Sequence, residues 1–581
     1  MRPRHLLFLF LVALTVLRLC YLSQIELSPD EAYYFQWSKH LDWSYFSKGP
    51  GIAIAMWLTT HLFGDTVFGI RVLSPLLSLG TSLIMFQFAR RLYGETAAIW
   101  TTLLMNFIPI FQAGSLVMTI DPLSIFFWMA ALSSFWEALV RSPRFSMWWP
   151  ITGALIGCGF VAKYTNAMQL LSILFLLAIT PKYRRELLRP GFYVMLGVFS
   201  LFTIPILVWN SQHAWITLIH LKSRGGFDEG PRFRPADFFV YLLLHLGVYS
   251  PLIFAGMIPA IGWAWKQSRS RIKPRFLLAF SLPLLVMYFA LAFKKAGEPN
   301  WTAPGMLSLA ILAVAFWLEL TRDRAWARRY AVAALALGGL MSLLTADPEM
   351  IRRLGYPLSY DRDPTARLRG WETAADIVET FRSKFEAASG APVFLIANKY
   401  QTAAALGFYM KDKRPEGPGH PPVYCPEGPF PENQYYYFPR YDENTDFTEV
   451  ATALLRDPKT AGMTEDAAKE LAASMAALPT KATTNDPEKD AERRRRFLHA
   501  LKIAAPQLPI DTYYTETMGF SRFAGRTALY ISDRGEERPA NEVEKDFTRY
   551  EMLACIDFTR RGLPLRQIRI FACYGYHQSE L

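Results

Sequence analysis

Residues 6–23 read LLFLFLVALTVLRLCYLS, and residues 28–34, shortly after, read SPDEAYY. The first stretch is eighteen almost wholly apolar residues, about the length needed to cross ~30 Å of hydrocarbon as a helix. Arg2 and Arg4 precede it. A cleaved signal peptide would also begin this way, but Arg18 and Cys20 stand where small residues would mark a cleavage site. The reading is a retained anchor with its N-terminus inside. The second stretch places Asp30 and Glu31 where that anchor leaves the bilayer.

Working outward, ten more apolar runs follow: 70–88, 97–113, 123–140, 148–161, 168–179, 192–209, 238–265, 276–293, 301–320 and 330–344. Threading the chain through all eleven in alternation places lysine and arginine in every second connection, as orientation by positive charge requires. The inner loops then hold Arg90 and Arg91; Arg141 and Arg144; Lys182, Arg184, Arg185 and Arg189; Lys266, Arg269, Arg271, Lys273 and Arg275; and Arg322, Arg324, Arg328 and Arg329. The outer loops carry Asp30, Glu31, Asp42, Asp121, Asp228, Glu229 and Glu298. A thirteen-residue apolar stretch, 51–63, suits an interfacial or re-entrant helix.

The composition agrees. Of 581 residues, 52% are hydrophobic and only 19% charged, against about 25% charged in typical soluble domains. A mean hydropathy of just +0.13 is the average of two unlike parts. Up to Thr345 there are 30 Lys and Arg against 15 Asp and Glu; the remainder has 32 against 35. The basic excess therefore sits with the apolar runs, which argues for membrane orientation and against nucleic acid as a partner. The expected architecture is a polytopic α-helical membrane domain over 1–345, of about eleven spans plus interfacial helices, and a soluble α/β domain over 346–581 on the outer side.

In that second domain 371–388 and 464–477 read as amphipathic helices, and 392–397, 527–532, 552–558 and 567–573 as strands, the last two a candidate hairpin across 560–562. Residues 415–431 read as a Pro/Gly loop and 486–496 as a charged helix or linker. Cys20 and Cys158 fall in apolar runs. Cys425, Cys555 and Cys573 fall outside and allow one disulfide with a thiol to spare. No zinc-spaced Cys/His set, GxGxxG, GxxxxGK[ST] or GxSxG is present, so neither a metal nor a cofactor is expected.

Each unusual residue at the outer ends has a plain reading and a chemical one. Asp30 and Glu31 can be first-turn acids behind a Ser28 cap, or a carboxylate pair needing a cation at the lipid boundary. Lys48 can snorkel or hold a phosphate. Asp121 before Pro122 can be a cap, Lys163 a headgroup anchor, and Trp301 after Glu298 and Asn300 a belt residue. Arg224, with Lys222, Arg232 and Arg234 against Asp228 and Glu229, can be a solvated face. Taken together they form an inventory for binding an anionic lipid-linked donor and removing a proton from an acceptor.

The ordered set Asp30-Glu31, Tyr45–Pro50, Leu62-Phe63-Gly64, Arg71–Pro75, Asp121-Pro122, Ala162–Thr165, Trp209–His213 and Glu298–Trp301 resembles the GT-C class of membrane glycosyltransferases. It is similar in particular to bacterial family 39, the protein-mannosyltransferase-like enzymes that include lipid A aminoarabinose transferases. Where the aminoarabinose enzymes show Glu-Lys-Pro-Pro, this chain has Ser47-Lys48-Gly49-Pro50. The resemblance covers about residues 1–330. It implies inverting transfer of a sugar from a polyprenyl-phosphate carrier to an envelope acceptor, lipid A or another glycolipid or glycan, at the periplasmic face of the inner membrane. By position it implies Asp30 as general base, Asp121 as a second acid, and Lys48, with Arg224 or Lys163, on the donor phosphate. Glu31, Tyr45, Glu298, Asn300 and Trp301 complete the set. A transporter or flippase of lipid-linked substrates is the competing expectation, though such proteins place charges near the midplane.

Overall fold

The computed structural model describes residues 2–227, 230, 233–347, 350, 366–411, 413–426, 428, 430–442, 445–456, 463–478, 487–505, 519–533, 535–560 and 563–577. Asp228, Glu229, Arg232, the start of the charged segment at 486 and the turn at 561–562 lie outside them. The chain divides into two compact units, 1–372 with 559–565, and 373–558 with 566–581.

The first unit is helical. In order it contains α1 (Pro3–Tyr21), α2 (Pro29–Lys39), α3 (Gly51–Phe63), α4 (Val67–Arg71), α5 (Leu73–Tyr93), α6 (Glu95–Asn106), α7 (Pro109–Gly114), α8 (Ile120–Val140) and α9 (Trp148–Ala162). There follow α10 (Met168–Ile179), α11 (Pro190–Gln212), α12 (Ile216–Arg224), α13 (Pro235–Tyr249), α14 (Pro251–Ser268), α15 (Ile272–Ala279), α16 (Leu282–Leu291), α17 (Ala303–Asp323) and α18 (Ala325–Ala346).

All eleven apolar runs are helical, but not all as single spans. Among the described residues seven helices or helix runs are long and apolar enough to cross a bilayer: Pro3–Gln24, Val67–Tyr93, Ile120–Val140, Pro190–Gln212, Ile272–Leu291, Pro299–Asp323 and Ala325–Ala346. The pair α13 and α14, bent by 109°, counts as an eighth when taken as one broken span. By length and composition the count of about eleven is not confirmed, and proline breaks two of the runs. Run 97–113 breaks into α6 and α7 at Ile108, whose extended backbone precedes Pro109. Run 238–265 bends at Ser250, left-handed at φ 67° and followed by Pro251. A residue before proline is pushed out of the helical region. α9 and the helical run Tyr164–Ile179 are simply short.

α17 is buried at every position from Ala303 to Ala315, as expected of a helix that is apolar all round. Its neighbours contribute Trp128, Phe135, Met257 and Phe276 to one continuous core. Arg18 on α1 is also buried. Its guanidinium donates to Ser78 (3.1 Å), Asn106 (3.2 Å) and Gln112 (2.5 Å), which ties α1 to α5, α6 and α7.

The second unit holds a four-stranded sheet in the order β1-β4-β6-β5, with β1 (Phe394–Ala397), β4 (Ala528–Ser532), β5 (Phe547–Arg560) and β6 (Leu563–Tyr576). β1 runs parallel to β4 with Phe394 opposite Ala528; β4 runs antiparallel to β6 with Ala528 opposite Cys573. A short pair, β2 (Thr445–Asp446) and β3 (Gly519–Phe520), stands apart. The four predicted strands and the helices Trp371–Ser389, Glu465–Ala476 and Pro487–Ala504 are all present, while the helices Tyr400–Tyr409 and Phe447–Arg456 were not foreseen. Phe394, Ile396, Tyr530, Phe571 and Tyr576 form the sheet's core. No disulfide joins the cysteines: Cys573 is buried in that core, whereas Cys555 on β5 is exposed.

Candidate active site

The site assembles where loops and helix ends meet within the first unit. α2 begins it. Ser28 and Glu31 form a reciprocal cap, the Ser28 amide donating to the Glu31 carboxylate (2.9 Å) and the Glu31 amide to the Ser28 hydroxyl (3.3 Å). Glu31 is fully buried and takes two bonds from Arg71, Nε to Oε1 and Nη2 to Oε2, both 2.7 Å. It accepts a third from the Met118 amide (2.9 Å). Arg71 spends its remaining donors on the carbonyls of Leu22, Ile25 and Glu26. Glu31 is thus saturated, and its work is to clamp the loop after α1 against α4 and the start of α8.

Asp30, one residue earlier, points elsewhere. It is half-buried, and its carboxylate takes no hydrogen bond from any described residue. Burial pushes its pKa up from the ordinary carboxylate value, while Arg367, Lys48 and Arg224 pull it down. Sequence reading offered no signal for Arg367.

Lys48 is brought in by the turn between α2 and α3. The Tyr45 amide donates to the Lys48 carbonyl (3.0 Å), and the Ser44 hydroxyl does the same at 3.3 Å. Tyr45 is part of this scaffold: it stacks on Trp37 at 4.4 Å, and its hydroxyl donates to the carbonyls of Trp37 and His40. Glycine then lets the turn press onto the end of α9. A Cβ on Gly49 would sit 2.4 Å from the Val161 carbonyl oxygen, and one on Gly51 would sit 2.9 Å from Ala162 backbone atoms. This contact puts Lys48 beside Lys163 and gives the Ser47-Lys48-Gly49-Pro50 sequence a local reason. The Lys48 ammonium has no ion-pair partner among the described residues. Burial lowers its pKa to about 8, helped by Arg224 and Lys163 and opposed by Asp121 and Asp30.

Asp121, at the first turn of α8, is already engaged. Lys163 donates to its Oδ1 (2.6 Å) and Asn300 to its Oδ2 (2.7 Å). Lys163 is therefore the counter-ion of Asp121 rather than a spare cation. Arg224, at the end of α12, lies over the Trp301 ring at 5.8 Å and makes no ion pair among the described residues. Trp301 packs against Tyr288, and Glu298 is exposed at the rim.

A residue sequence reading missed is His220, which packs on Phe46 at 4.7 Å. Burial, with Lys48 and Arg224 nearby, lowers its pKa to about 4, so the imidazole is neutral. Trp209 donates to Asp42 (2.7 Å) and Thr217 to the Tyr45 carbonyl (3.1 Å), holding α11 and α12 to the Lys48 turn.

Among the described residues the chain thus gathers one carboxylate without a hydrogen-bond donor, one lysine without an ion pair, one neutral carboxylate–lysine pair and one arginine on an aromatic shelf. Comparison with known proteins gives this set its context. A family model described as dolichyl-phosphate-mannose-protein mannosyltransferase matches residues 47–209. The lipid A galacturonosyltransferase RgtD of Rhizobium johnstonii is 27% identical over 322 residues, 54% of this chain and 64% of that protein. An undecaprenyl phosphate-alpha-4-amino-4-deoxy-L-arabinose arabinosyl transferase of Pseudomonas aeruginosa is 28% identical over 307 residues, 49% of this chain and 54% of that one. The matched region thus spans about half to two thirds of the length of these curated relatives. The crystal structure of ArnT from Cupriavidus metallidurans superposes with a TM-score of 0.55 and 16% identity, covering 97% of each chain. The chain therefore has the fold of ArnT, that of a multi-pass membrane protein, and its similarity to these glycosyltransferases agrees with the resemblance read from its motifs.

Proposed function

We propose that this GT-C-type chain is an inverting glycosyltransferase that moves a sugar from a polyprenyl-phosphate carrier to a lipid A-like or other envelope glycan acceptor. The observation that carries the reading is the pairing of Asp30, with no hydrogen-bond donor on its carboxylate, and Lys48, with no counter-ion among the described residues. Asp30 removes the proton from an acceptor hydroxyl. The resulting oxygen attacks the anomeric carbon from the face opposite the carrier, the bond to the phosphate oxygen breaks, and Lys48 stabilises the charge on the leaving phosphate. Asp121, held by Lys163 and Asn300, keeps the floor of the site rigid and orients the sugar. Lys48, Arg224 and Arg367 outnumber Asp30; once one cation faces the donor phosphate, the surplus suits an acidic sugar such as a uronic acid.

The site lies at the outer ends of the helices when the arginine-rich connections are placed inside. With an odd number of crossings, as the charge alternation over the eleven apolar runs suggests, this reading takes the N-terminus as cytoplasmic and the C-terminal domain as periplasmic in an inner-membrane protein. A transporter reading has less support, because the ionisable groups cluster at one set of helix ends and the similar curated proteins are named transferases.

The test is transfer by the purified full-length protein. Undecaprenyl-phosphate galacturonic acid and the aminoarabinose analogue are each offered with lipid A, and the product is read by mass spectrometry. Asp30→Asn is expected to lower kcat by about 10²–10⁴ while donor binding persists. Near-normal turnover in Asp30→Asn would remove the mechanism, and movement of donor across sealed vesicles without a covalent product would restore the transporter.

A further inference from the structure

α17 starts beside the candidate active site and ends 21 residues later, about 30 Å away along its axis. At that far end lie two adjoining cavities, which share Leu318, Thr321 and Arg328 in their walls. One is an apolar slot of about 340 Å³ between α6, α14, α17 and α18, lined by Trp100, Leu104, Met257, Val314 and Leu335. The other is a polar chamber of about 1330 Å³ whose wall carries Arg271, Lys273, Arg322 and Arg328 against Glu95 and Glu319.

The slot is built rather than incidental. Trp317 and Tyr330 stack at 4.6 Å and form one wall, and their polar atoms are spent, Trp317 on the Gly256 carbonyl (2.9 Å) and Tyr330 on the Leu252 carbonyl (2.7 Å). Gly256 makes the room: a Cβ there would come within 3.2 Å of both rings. Trp100 and Val332, which also line the slot, are exposed on the surface of the helical unit. In the chamber Lys273 donates to the Leu92 carbonyl (2.6 Å), but Arg271, Arg322 and Arg328 form no ion pair with any described residue. Three guanidinium groups, outnumbering Glu95 and Glu319 in the chamber wall, stand beside an apolar slot and complement one kind of molecule. Basic pockets between membrane helices bind anionic lipid headgroups, and arginine's planar fork matches phosphate geometry.

We propose that these adjoining cavities bind an anionic glycerophospholipid of the leaflet opposite the active site, with its phosphate among Arg271, Arg322 and Arg328 and an acyl chain in the slot. The site is separate from the transfer reaction, so it stands or falls independently of the function proposed above.

Native mass spectrometry of the full-length protein, stripped of lipid in detergent and titrated with phosphatidylglycerol or phosphatidylcholine, tests it. The unaltered protein should retain one phosphatidylglycerol at a concentration at least about tenfold below that needed for phosphatidylcholine. Arg322→Gln with Arg328→Gln should erase the preference, and Ala331→Phe, which fills the slot from α18, should abolish retention with every arginine intact. Lys48→Ala should change nothing. Equal retention of the two lipids by the unaltered protein, or unchanged retention in both cavity variants, overturns the proposal; so does loss of the lipid in Lys48→Ala, which would place it in the active site.

Discussion

The clearest quantitative consequence concerns Lys48. Burial, Arg224 and Lys163 bring its pKa to about 8 in the empty site. A lysine at that value is roughly nine-tenths protonated at pH 7 and one-tenth at pH 9. The donor phosphodiester keeps its single charge over this range, so the competence of the free enzyme to bind it follows the ammonium. The value of kcat/KM, which reports free-enzyme ionisations, should fall about tenfold between pH 7 and pH 9. Bound phosphate favours the charged lysine, so kcat at saturating donor should hold its plateau to higher pH. On the acid side Asp30 must be a carboxylate to act as base. Its pKa is raised, so the rising limb should lie above the ordinary range for aspartate. Lys48→Arg keeps the charge at all these pH values. Its profile, at whatever absolute level, should lose the alkaline limb. The assay is initial-rate transfer of radiolabelled sugar at subsaturating and saturating donor from pH 5 to pH 10. An alkaline limb that survives in Lys48→Arg would refute the assignment of that limb to Lys48.

Three further outcomes follow from the packing. Glu31→Gln leaves Arg71 buried without its counter-charge and should cost about 3–5 kcal/mol, seen as a lower thermal transition of the purified protein before any change in donor affinity. Lys163→Met should destabilise similarly by stranding Asp121, and adding Asp121→Leu should recover most of the loss, a coupling measured by a double-mutant cycle. Gly49→Ala forces a methyl against the Val161 carbonyl; it should lower kcat/KM at least about tenfold by moving Lys48, a 1 Å displacement being able to cost more than that, while thermal stability falls by less than in Glu31→Gln.

Much of this protein can be read from its residues in order. Spans, the Ser28 cap, the strands of the second unit and the loops carrying Asp30, Lys48 and Asp121 are all local features, set by apolar runs, capping chemistry and two- or 3.6-residue periods. Prolines at 109 and 251 signalled the breaks inside two of the apolar runs. The sequence could not say which acid was free. Asp30 and Glu31 are adjacent and chemically alike, yet one is saturated by Arg71 and the Met118 amide while the other has no donor on its carboxylate.

That difference, like the one between Lys48 and the paired Lys163, arises only where distant segments meet. Asp121 finds Lys163 at a chain separation of 42 residues and Asn300 at 179. Local propensity acts over a turn of helix, whereas neutralising a buried charge depends on which helix ends the packed bundle brings within about 3 Å of each other. The order of residues determined the chemical groups available at that end of the membrane domain; the tertiary structure decided which are satisfied by one another and which remain to meet a substrate.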